Sequence, residues 1–195
     1  MTDRPPRILF VCTGNICRSP MGQYLMSSRL DAMGIAASVR SAGFAAEGQS
    51  MPKHALSVLA GAGIDASAHL STRMTPDHVR GADLILTMTG RHATEAAVLD
   101  LESVPRIYTL REFAIRASGF GPRDAGASLR DYVLDVGSDR TPGHLGAGGS
   151  REDIADPYGR RKGAYKKAFQ EIQTEIDALV PTLFSGGQSL TGLGS

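Results

Sequence analysis

The chain has 195 residues, of which 21 are lysine or arginine and 20 are aspartate or glutamate, so its formal net charge is only +1. Such a chain, with 42% hydrophobic residues, is expected to form one globular domain, and it lacks the basic excess of a general nucleic-acid-binding protein. No apolar run reaches the ~18 residues of a membrane span, and the first residues lack the apolar core of a signal peptide. The sequence therefore predicts a cytoplasmic protein with neither nucleic acid nor membrane as partner.

Strands and helices are predicted to alternate along the chain. Residues 7–12 form a continuous apolar run, typical of a strand that is buried on both faces. The further predicted strands are 38–41, 83–88 and 106–110, and the predicted helices are 19–33, 52–60, a short one opened by Thr75-Pro76-Asp77, 91–101 and 163–184. This alternation predicts an α/β three-layer sandwich, in which helices flank a four-stranded parallel sheet.

Two segments fall outside this pattern. Residues 117–153 contain eight glycines, and we expect a long loop or lid there, with one short helix around residues 128–136. Residues 185–195 are rich in glycine and serine and are predicted to be a disordered tail. The sequence thus predicts a single domain over residues 1–184, with the glycine-rich segment as an insertion.

The turn after the first predicted strand holds both cysteines of the chain. We call it the phosphate loop, and its residues are Cys12, Thr13, Gly14, Asn15, Ile16, Cys17, Arg18 and Ser19. Backbone N–H groups in such a turn bind anions, and the N-terminus of the next helix adds a positive field that favours a thiolate. The planar guanidinium of Arg18 can hold two oxygens of one phosphate. The turn is therefore predicted to be a phosphate site with its own nucleophile, Cys12.

The stretch 11–20 resembles the low-molecular-weight protein tyrosine phosphatase family nearly letter for letter. The resemblance continues through Ser41-Ala42-Gly43, Ala68-His69 and residues 82–88, and it ends with Asp156-Pro157-Tyr158 before the last helix. It implies a bacterial-type phosphatase that hydrolyses phosphotyrosine in proteins and needs no metal or other cofactor. Phosphotyrosine-containing proteins are then the expected partners, and a monomer or weak dimer is the expected oligomeric state.

The same resemblance implies the chemical roles of four residues. Cys12 would attack phosphorus and become a phosphocysteine, while Arg18 and the loop amides would hold the phosphate oxygens. Asp156 would act as the general acid and then as the general base. Ser19 would stabilise the Cys12 thiolate when it leaves.

Supporting roles are implied for residues around the phosphate loop. Asn15, Ser41 and His69 would hold the loop in its shape by hydrogen bonds. Tyr158 would form an aromatic wall for the substrate ring. Cys17 would form a reversible disulfide with Cys12 that prevents over-oxidation.

Three other functions stay open. Phe113 and the single aromatic residue of the segment 156–159 are similar to the protein-arginine phosphatase branch, although Ile16 stands where that branch tends to have threonine. An arsenate reductase can share the phosphate loop, but the lack of a third cysteine leaves only a variant that depends on a small thiol. A non-catalytic module that binds phosphoproteins or senses redox state is disfavoured by the intact Cys12, Arg18 and Asp156.

The sequence departs from the family pattern at two places. Gln23 replaces the usual acidic residue after the phosphate loop, and residues 45–47 replace the aromatic wall of many relatives, so that Phe44 is the expected substitute. Basic residues also cluster after Asp156, namely Arg160, Arg161, Lys162, Lys166 and Lys167. A solvated helix face would explain this cluster. Alternatively, because cations at a helix start oppose the helix dipole, the cluster could be a basic rim that attracts acidic or phosphorylated targets.

Overall fold

The computed structural model describes residues 4–45, 47–147 and 149–184, and these form four strands and seven α-helices. The strands are β1 (Arg7–Cys12), β2 (Ser38–Gly43), β3 (Leu84–Thr87) and β4 (Ile107–Thr109). The helices are α1 (Arg18–Ala32), α2 (Lys53–Gly61), α3 (Pro76–Gly81), α4 (Gly90–Leu99), α5 (Leu110–Phe120), α6 (Leu129–Val136) and α7 (Lys162–Phe184). Short 3-10 helices cover Leu101–Arg106, Pro142–His144 and Gly149–Arg151.

The four strands form one parallel sheet in the order β2-β1-β3-β4. In this sheet Phe10 of β1 pairs with Ser41 on one side and with Leu86 on the other. Because all four strands run in one direction, their carboxyl ends lie at the same edge, where open α/β sheets bind ligands. The predicted four-stranded parallel sheet is confirmed.

Side chains of each strand alternate between two cores, one on each face of the sheet, as the two-residue period of a strand requires. On one face Ile8, Phe10 and Leu86 pack with α1, α5, α6 and α7. On the other face Leu9, Val11 and Ile85 pack with α3 and α4. Helices therefore cover both faces, and the predicted three-layer sandwich is confirmed.

The segment after β4 departs from the prediction. Residues 117–153 were expected to be mostly a loop, but α5 occupies Leu110–Phe120, capped by the Thr109 hydroxyl, which accepts a hydrogen bond from Glu112 N at 3.1 Å. The helix predicted around 128–136 is confirmed as α6, whose Tyr132 and Val133 are buried in the larger core. This part of the segment is thus packed against the domain and does not form a lid.

The predicted tail, residues 185–195, lies outside the described residues. Among the helices of the described ranges, none is long and apolar enough to cross a bilayer. The last described helix, α7, packs against α1 and α5 and brings the segment before it to the carboxyl edge of the sheet. That segment carries Asp156.

Candidate active site

The phosphate loop lies at the carboxyl end of β1, where Cys12 is the last strand residue and Arg18 the first residue of α1. The side chain of Cys12 is almost wholly buried, and its Sγ lies 3.0 Å from Ser19 Oγ. Asn15 has a positive φ of 50°, the left-handed conformation that asparagine tolerates better than most residues. This conformation turns the chain back, so that the loop forms a cup around the start of the helix.

Asn15 is fully buried and fixes the loop through a directed set of hydrogen bonds. Its Oδ1 accepts from Thr72 N at 2.8 Å, which orients the amide, and its Nδ2 donates to Ser19 Oγ at 2.9 Å and to Ser41 Oγ at 2.7 Å. His69 Nε2 donates to the backbone oxygen of Asn15 at 2.7 Å. Because the Ser19 hydroxyl accepts from Asn15, its own hydrogen is free to point at the Cys12 sulfur.

Two further residues complete this support. Ser41 Oγ accepts from Asn15 and donates to Gln23 Oε1 at 2.5 Å, so Gln23 extends the network, a role that sequence analysis missed. Gly43 lies under the loop, where a Cβ atom would come within 2.7 Å of Asn15 N and of Thr13 O. Such a contact is closer than side chains tolerate, so the loop requires glycine at this position.

Arg18 and Asp156 meet above the phosphate loop. The Arg18 side chain is 5% exposed, and it donates from Nη2 to Asp156 Oδ2 at 2.7 Å and from Nη1 to Ile154 O at 3.0 Å. Its Nε is buried and has no partner among the described residues. The Asp156 side chain is 50% exposed, and its Oδ1 accepts from Tyr158 N at 3.1 Å. The structure thus brings the carboxylate of Asp156 to the thiol and guanidinium of the phosphate loop, which lie far from it in sequence.

Residues 151–159, which we call the acid loop, are tied to the sheet edge and to two helices. Ile154 N donates to Met88 O at 2.8 Å, and Gly90 N at the start of α4 donates to Asp153 Oδ1 at 2.9 Å. Arg111 of α5 donates from Nη1 to the backbone oxygens of Arg151 and Asp153, both at 3.2 Å. These contacts hold Asp156 in place against the phosphate loop.

His92 is a site residue that sequence analysis did not identify. It is buried, and its Nε2 lies 2.8 Å from Thr13 Oγ1 while its Nδ1 lies 2.9 Å from Thr89 Oγ1. Burial, with the nearby positive charges of Arg18 and Arg91, lowers the pKa of His92 to about 4. The ring is therefore neutral at pH 7 and joins the start of α4 to the phosphate loop. The sequence around His92 does not predict its contact with Thr13, because this contact depends on how α4 packs against the phosphate loop.

Cys17 is buried beside the nucleophile candidate and contacts α7. Burial raises its pKa to about 12, partly offset by a hydrogen bond with the Tyr165 side chain. Burial, the Cys17 charge and the hydrogen bond with Cys17 raise the pKa of Tyr165 to about 12 as well. Cys17 is consequently a protonated thiol at neutral pH. Both cysteines are free in this structure.

A cleft of about 280 Å³ opens above the phosphate loop. It is lined by Cys12, Thr13, Gly14, Ile16, Cys17, Arg18, Ala45, Gln49, Asp156 and Tyr158. Tyr158 is 63% exposed and is one of these lining residues. Phe44 is placed elsewhere: it stacks on His92 with ring centroids 6.3 Å apart and packs against the core under α3 and α4. Within the described ranges, no group of three His, Cys, Asp or Glu side chains could hold a metal ion.

Comparison with known proteins fits this geometry. Residues 7–120 match the family described as low molecular weight phosphotyrosine protein phosphatase. A curated "Protein-arginine-phosphatase" of Geobacillus stearothermophilus is 34% identical over 92% of this chain and 97% of its own length. A Ralstonia nicotianae protein named "Probable low molecular weight protein-tyrosine-phosphatase EpsP" is 32% identical over 90% and 94%. A crystal structure of the low molecular weight protein tyrosine phosphatase from T. tengcongensis is 30% identical, with a TM-score of 0.68 over 90% of this chain and 97% of its own. The chain belongs to the low molecular weight phosphotyrosine protein phosphatase family.

Proposed function

We propose that this protein hydrolyses phosphotyrosine in proteins through a phosphocysteine intermediate on Cys12. The observation that carries the proposal is the cleft in which Cys12, Arg18 and Asp156 meet, with Arg18 Nη2 2.7 Å from Asp156 Oδ2. A phosphate group above the Cys12 sulfur would accept from the loop amides and from Arg18 Nε, the buried donor that lacks a partner among the described residues. Binding of the anion therefore gives Arg18 Nε a hydrogen-bond acceptor, and a buried donor without an acceptor costs free energy.

In the first step the Cys12 thiolate attacks phosphorus, an S–P bond forms, and the bond from phosphorus to the tyrosine oxygen breaks. The charge on the transferring group stays on its three equatorial oxygens, which the loop amides and Arg18 hold. The leaving phenolate takes a proton from Asp156. For this transfer, the phosphate replaces the carboxylate as the partner of Arg18, and the freed carboxyl group faces the leaving oxygen.

In the second step water attacks phosphorus and gives its proton to the Asp156 carboxylate, while the S–P bond breaks and the thiolate returns. The Ser19 hydroxyl, 3.0 Å from Cys12 Sγ, donates a hydrogen bond to this thiolate. Asn15 holds that hydroxyl in the correct direction. Asn15, Ser41 and His69 therefore act on the reaction by positioning other groups and do not touch the substrate.

The rim of the cleft supports an aryl phosphate as substrate. The exposed ring of Tyr158 stands beside Asp156, and the apolar side chain of Ile16 also lines the cleft. A phenyl ring can pack on such surfaces while its phosphate reaches Cys12. Phosphotyrosine-containing proteins are then the partners of this chain.

Phosphoarginine is the second candidate substrate. The curated relative that is 34% identical over 92% of this chain is named a protein-arginine phosphatase. The half-exposed Asp156 carboxylate could also pair with a guanidinium leaving group. The apolar Ile16 favours the aryl phosphate, because it offers no hydroxyl to the nitrogen of a phosphoramidate.

The test compares peptides of one sequence that carry phosphotyrosine, phosphoserine or phosphoarginine, together with arsenate plus a small thiol. Wild type, Cys12→Ser and Asp156→Ala are assayed in parallel. We expect wild type to prefer the phosphotyrosine peptide and Cys12→Ser to be inactive. Preference for phosphoarginine would replace the first candidate by the second, and activity of Cys12→Ser would overturn both.

A further inference from the structure

A concentration of positive charge lies directly after the acid loop. Residues 160–167 contain five lysines or arginines and no carboxylate, although the whole chain has a net charge of only +1. We call Arg160, Arg161, Lys162 and Lys166 the α7 basic surface, since all four side chains are exposed at the start of α7. Lys162 and Lys166 are four residues apart and therefore lie on the same side of the helix.

The fold does not account for these charges. None of the four residues of the α7 basic surface forms an ion pair with a carboxylate of the described ranges, whereas the neighbouring Lys167 lies 3.9 Å from Glu171. The first turn of α7 holds no acidic residue. Because a helix N-terminus carries partial positive charge, cations there destabilise the helix by a few tenths of a kcal/mol each. The cluster therefore suggests a use outside the stability of the domain.

The α7 basic surface adjoins the cleft. Tyr158 lines the cleft, and Arg160 N donates to Pro157 O at 3.0 Å, so that a tight turn connects the aromatic rim to the first basic residue. The next turn of the helix is fixed as well, because the Tyr165 side chain is buried in the same core as Cys17 of the phosphate loop. The basic residues therefore begin two positions after the cleft residue Tyr158, and a peptide that extends from the cleft past Tyr158 would come toward them.

Ala45 and Gln49 also line the cleft, and they bring no positive charge to it. Glu47, which lies between them in sequence, is exposed and acidic. Positive charge therefore follows the cleft residue Tyr158 in the chain, whereas the residues at Ala45, Glu47 and Gln49 are neutral or acidic. A peptide with acidic side chains on one side of its phosphorylated residue would bind better when that side lies along α7.

We infer that the α7 basic surface binds acidic side chains that flank the phosphorylated residue of a protein substrate. This inference rests on the proposed phosphatase function and specifies its substrates as acidic segments. Exposed charge pairs are screened by salt and act mainly on encounter and binding. The α7 basic surface therefore lowers KM for acidic substrates and leaves the chemical steps at Cys12 unchanged.

The experiment uses the full chain and the double variant Lys162→Glu/Lys166→Glu. The matched control is Arg7→Glu/Arg40→Glu, which changes the net charge equally but lies on exposed positions of β1 and β2, on the strand segments before the carboxyl edge. Three substrates are assayed at low and at high salt: a phosphotyrosine peptide with acidic flanks, the same peptide with neutral flanks, and para-nitrophenyl phosphate. Circular dichroism establishes that both variants are folded.

For the acidic peptide at low salt, we expect the α7 variant to raise KM about fivefold to tenfold, with a smaller rise at high salt. In the α7 variant, KM for the neutral peptide and for para-nitrophenyl phosphate should equal the wild-type values. In the control variant, KM for all three substrates should equal the wild-type values. Equal KM changes for both peptides, or the same change in the control, would overturn the inference. If wild type hydrolyses para-nitrophenyl phosphate but has the same KM for both peptides, only this inference fails. If wild type hydrolyses none of the three substrates, the proposed function itself is contradicted.

Discussion

Replacing Arg111 by alanine is expected to slow catalysis by loosening the acid loop. Arg111 lies in the first turn of α5 and donates to the backbone oxygens of Arg151 and Asp153 at 3.2 Å. Its guanidinium is held in turn by Glu171 at 3.0 Å and Glu175 at 3.4 Å, both on α7. The side chain thus joins two helices to the loop that carries the proposed general acid.

The size of the effect follows from these contacts. A hydrogen bond with a charged donor contributes about 1.5–3 kcal/mol when it is short and buried. Both bonds from Arg111 are at the long end of the normal range, and its side chain is 24% exposed, so we assign about 1 kcal/mol to each. Loss of about 2 kcal/mol would reduce the population of the ordered loop at most about 30-fold. Since Ile154 and Asp153 keep their bonds to Met88 and Gly90, we expect about a tenfold fall in kcat.

The assay compares two substrates that differ in their need for an acid. Phenyl phosphate has a poor leaving group that must be protonated, whereas 2,4-dinitrophenyl phosphate has a good one that leaves without a proton. The Arg111→Ala variant should lose about tenfold in kcat on phenyl phosphate but less than about twofold in the burst of dinitrophenolate from the other substrate. A general weakening of the fold would not separate the two substrates in this way.

Arg116→Ala is the matched control. Arg116 lies on the same helix, its side chain is 26% exposed, and it also binds two carboxylates, Glu112 and Asp139, but it makes no hydrogen bond with the acid loop. It should therefore leave both rates near those of wild type. Equal losses on the two substrates in Arg111→Ala, or a similar selective loss in Arg116→Ala, would refute the reasoning.

Three further predictions concern the surroundings of the phosphate loop. His92 stays neutral in the folded chain down to about pH 4 but takes up a proton near pH 6.5 when unfolded, so stability falls as the pH falls through this window. His92→Asn should remove about 2 kcal/mol of the stability difference between pH 7 and pH 4.5 in urea unfolding. Cys17→Ser should leave turnover nearly unchanged but make peroxide inactivation less reversible by an added thiol, because Cys12 sulfenic acid can then no longer condense with Cys17 to a disulfide and water and stays open to further oxidation. Gly43→Ala places a Cβ 2.7 Å from loop backbone atoms and should lower kcat and the unfolding free energy, the latter by about 1–3 kcal/mol.

Each of these predictions has a contrary result. An equal pH dependence of stability in His92→Asn and wild type would mean that this histidine is not buried as a neutral ring. Recovery of the Cys17 variant at the wild-type rate would remove the protective role of that thiol. Wild-type activity of Gly43→Ala would show that the phosphate loop does not need the close approach, and Gly119→Ala, at an open position without a positive φ, would serve as its control.

Much of this fold can be predicted from the sequence, because its elements are marked locally. Strands such as β1 are continuous apolar runs, and the phosphate loop keeps its residues contiguous between a strand and a helix. The parallel arrangement then places Ser41 and the acid loop at the same edge. For this reason the sequence predicts that Cys12, Arg18 and Asp156 lie close together.

Other features depend on packing and were missed. Helix α5 begins at Leu110, directly after the last residue of β4, Thr109. Because no turn residue separates the two elements, the sequence does not mark where the strand ends and the helix begins. The roles of Gln23, His92 and Arg111 arise from contacts between residues that are distant in sequence, and each residue type is common on helix surfaces. Phe44 was expected at the cleft, but stacking on His92 directs its ring toward the core under α4.

The most direct test of the central claim is to trap the intermediate on Cys12. Asp156→Ala is mixed with 2,4-dinitrophenyl phosphate and quenched in acid, because the first step then needs no proton while the second lacks its base. Mass spectrometry of the digested chain should find one phosphoryl group on the peptide that contains Cys12, and none when Cys12→Ala, which has no nucleophilic atom, is added to the variant. Continued turnover with no phosphoryl group on Cys12 would contradict the account.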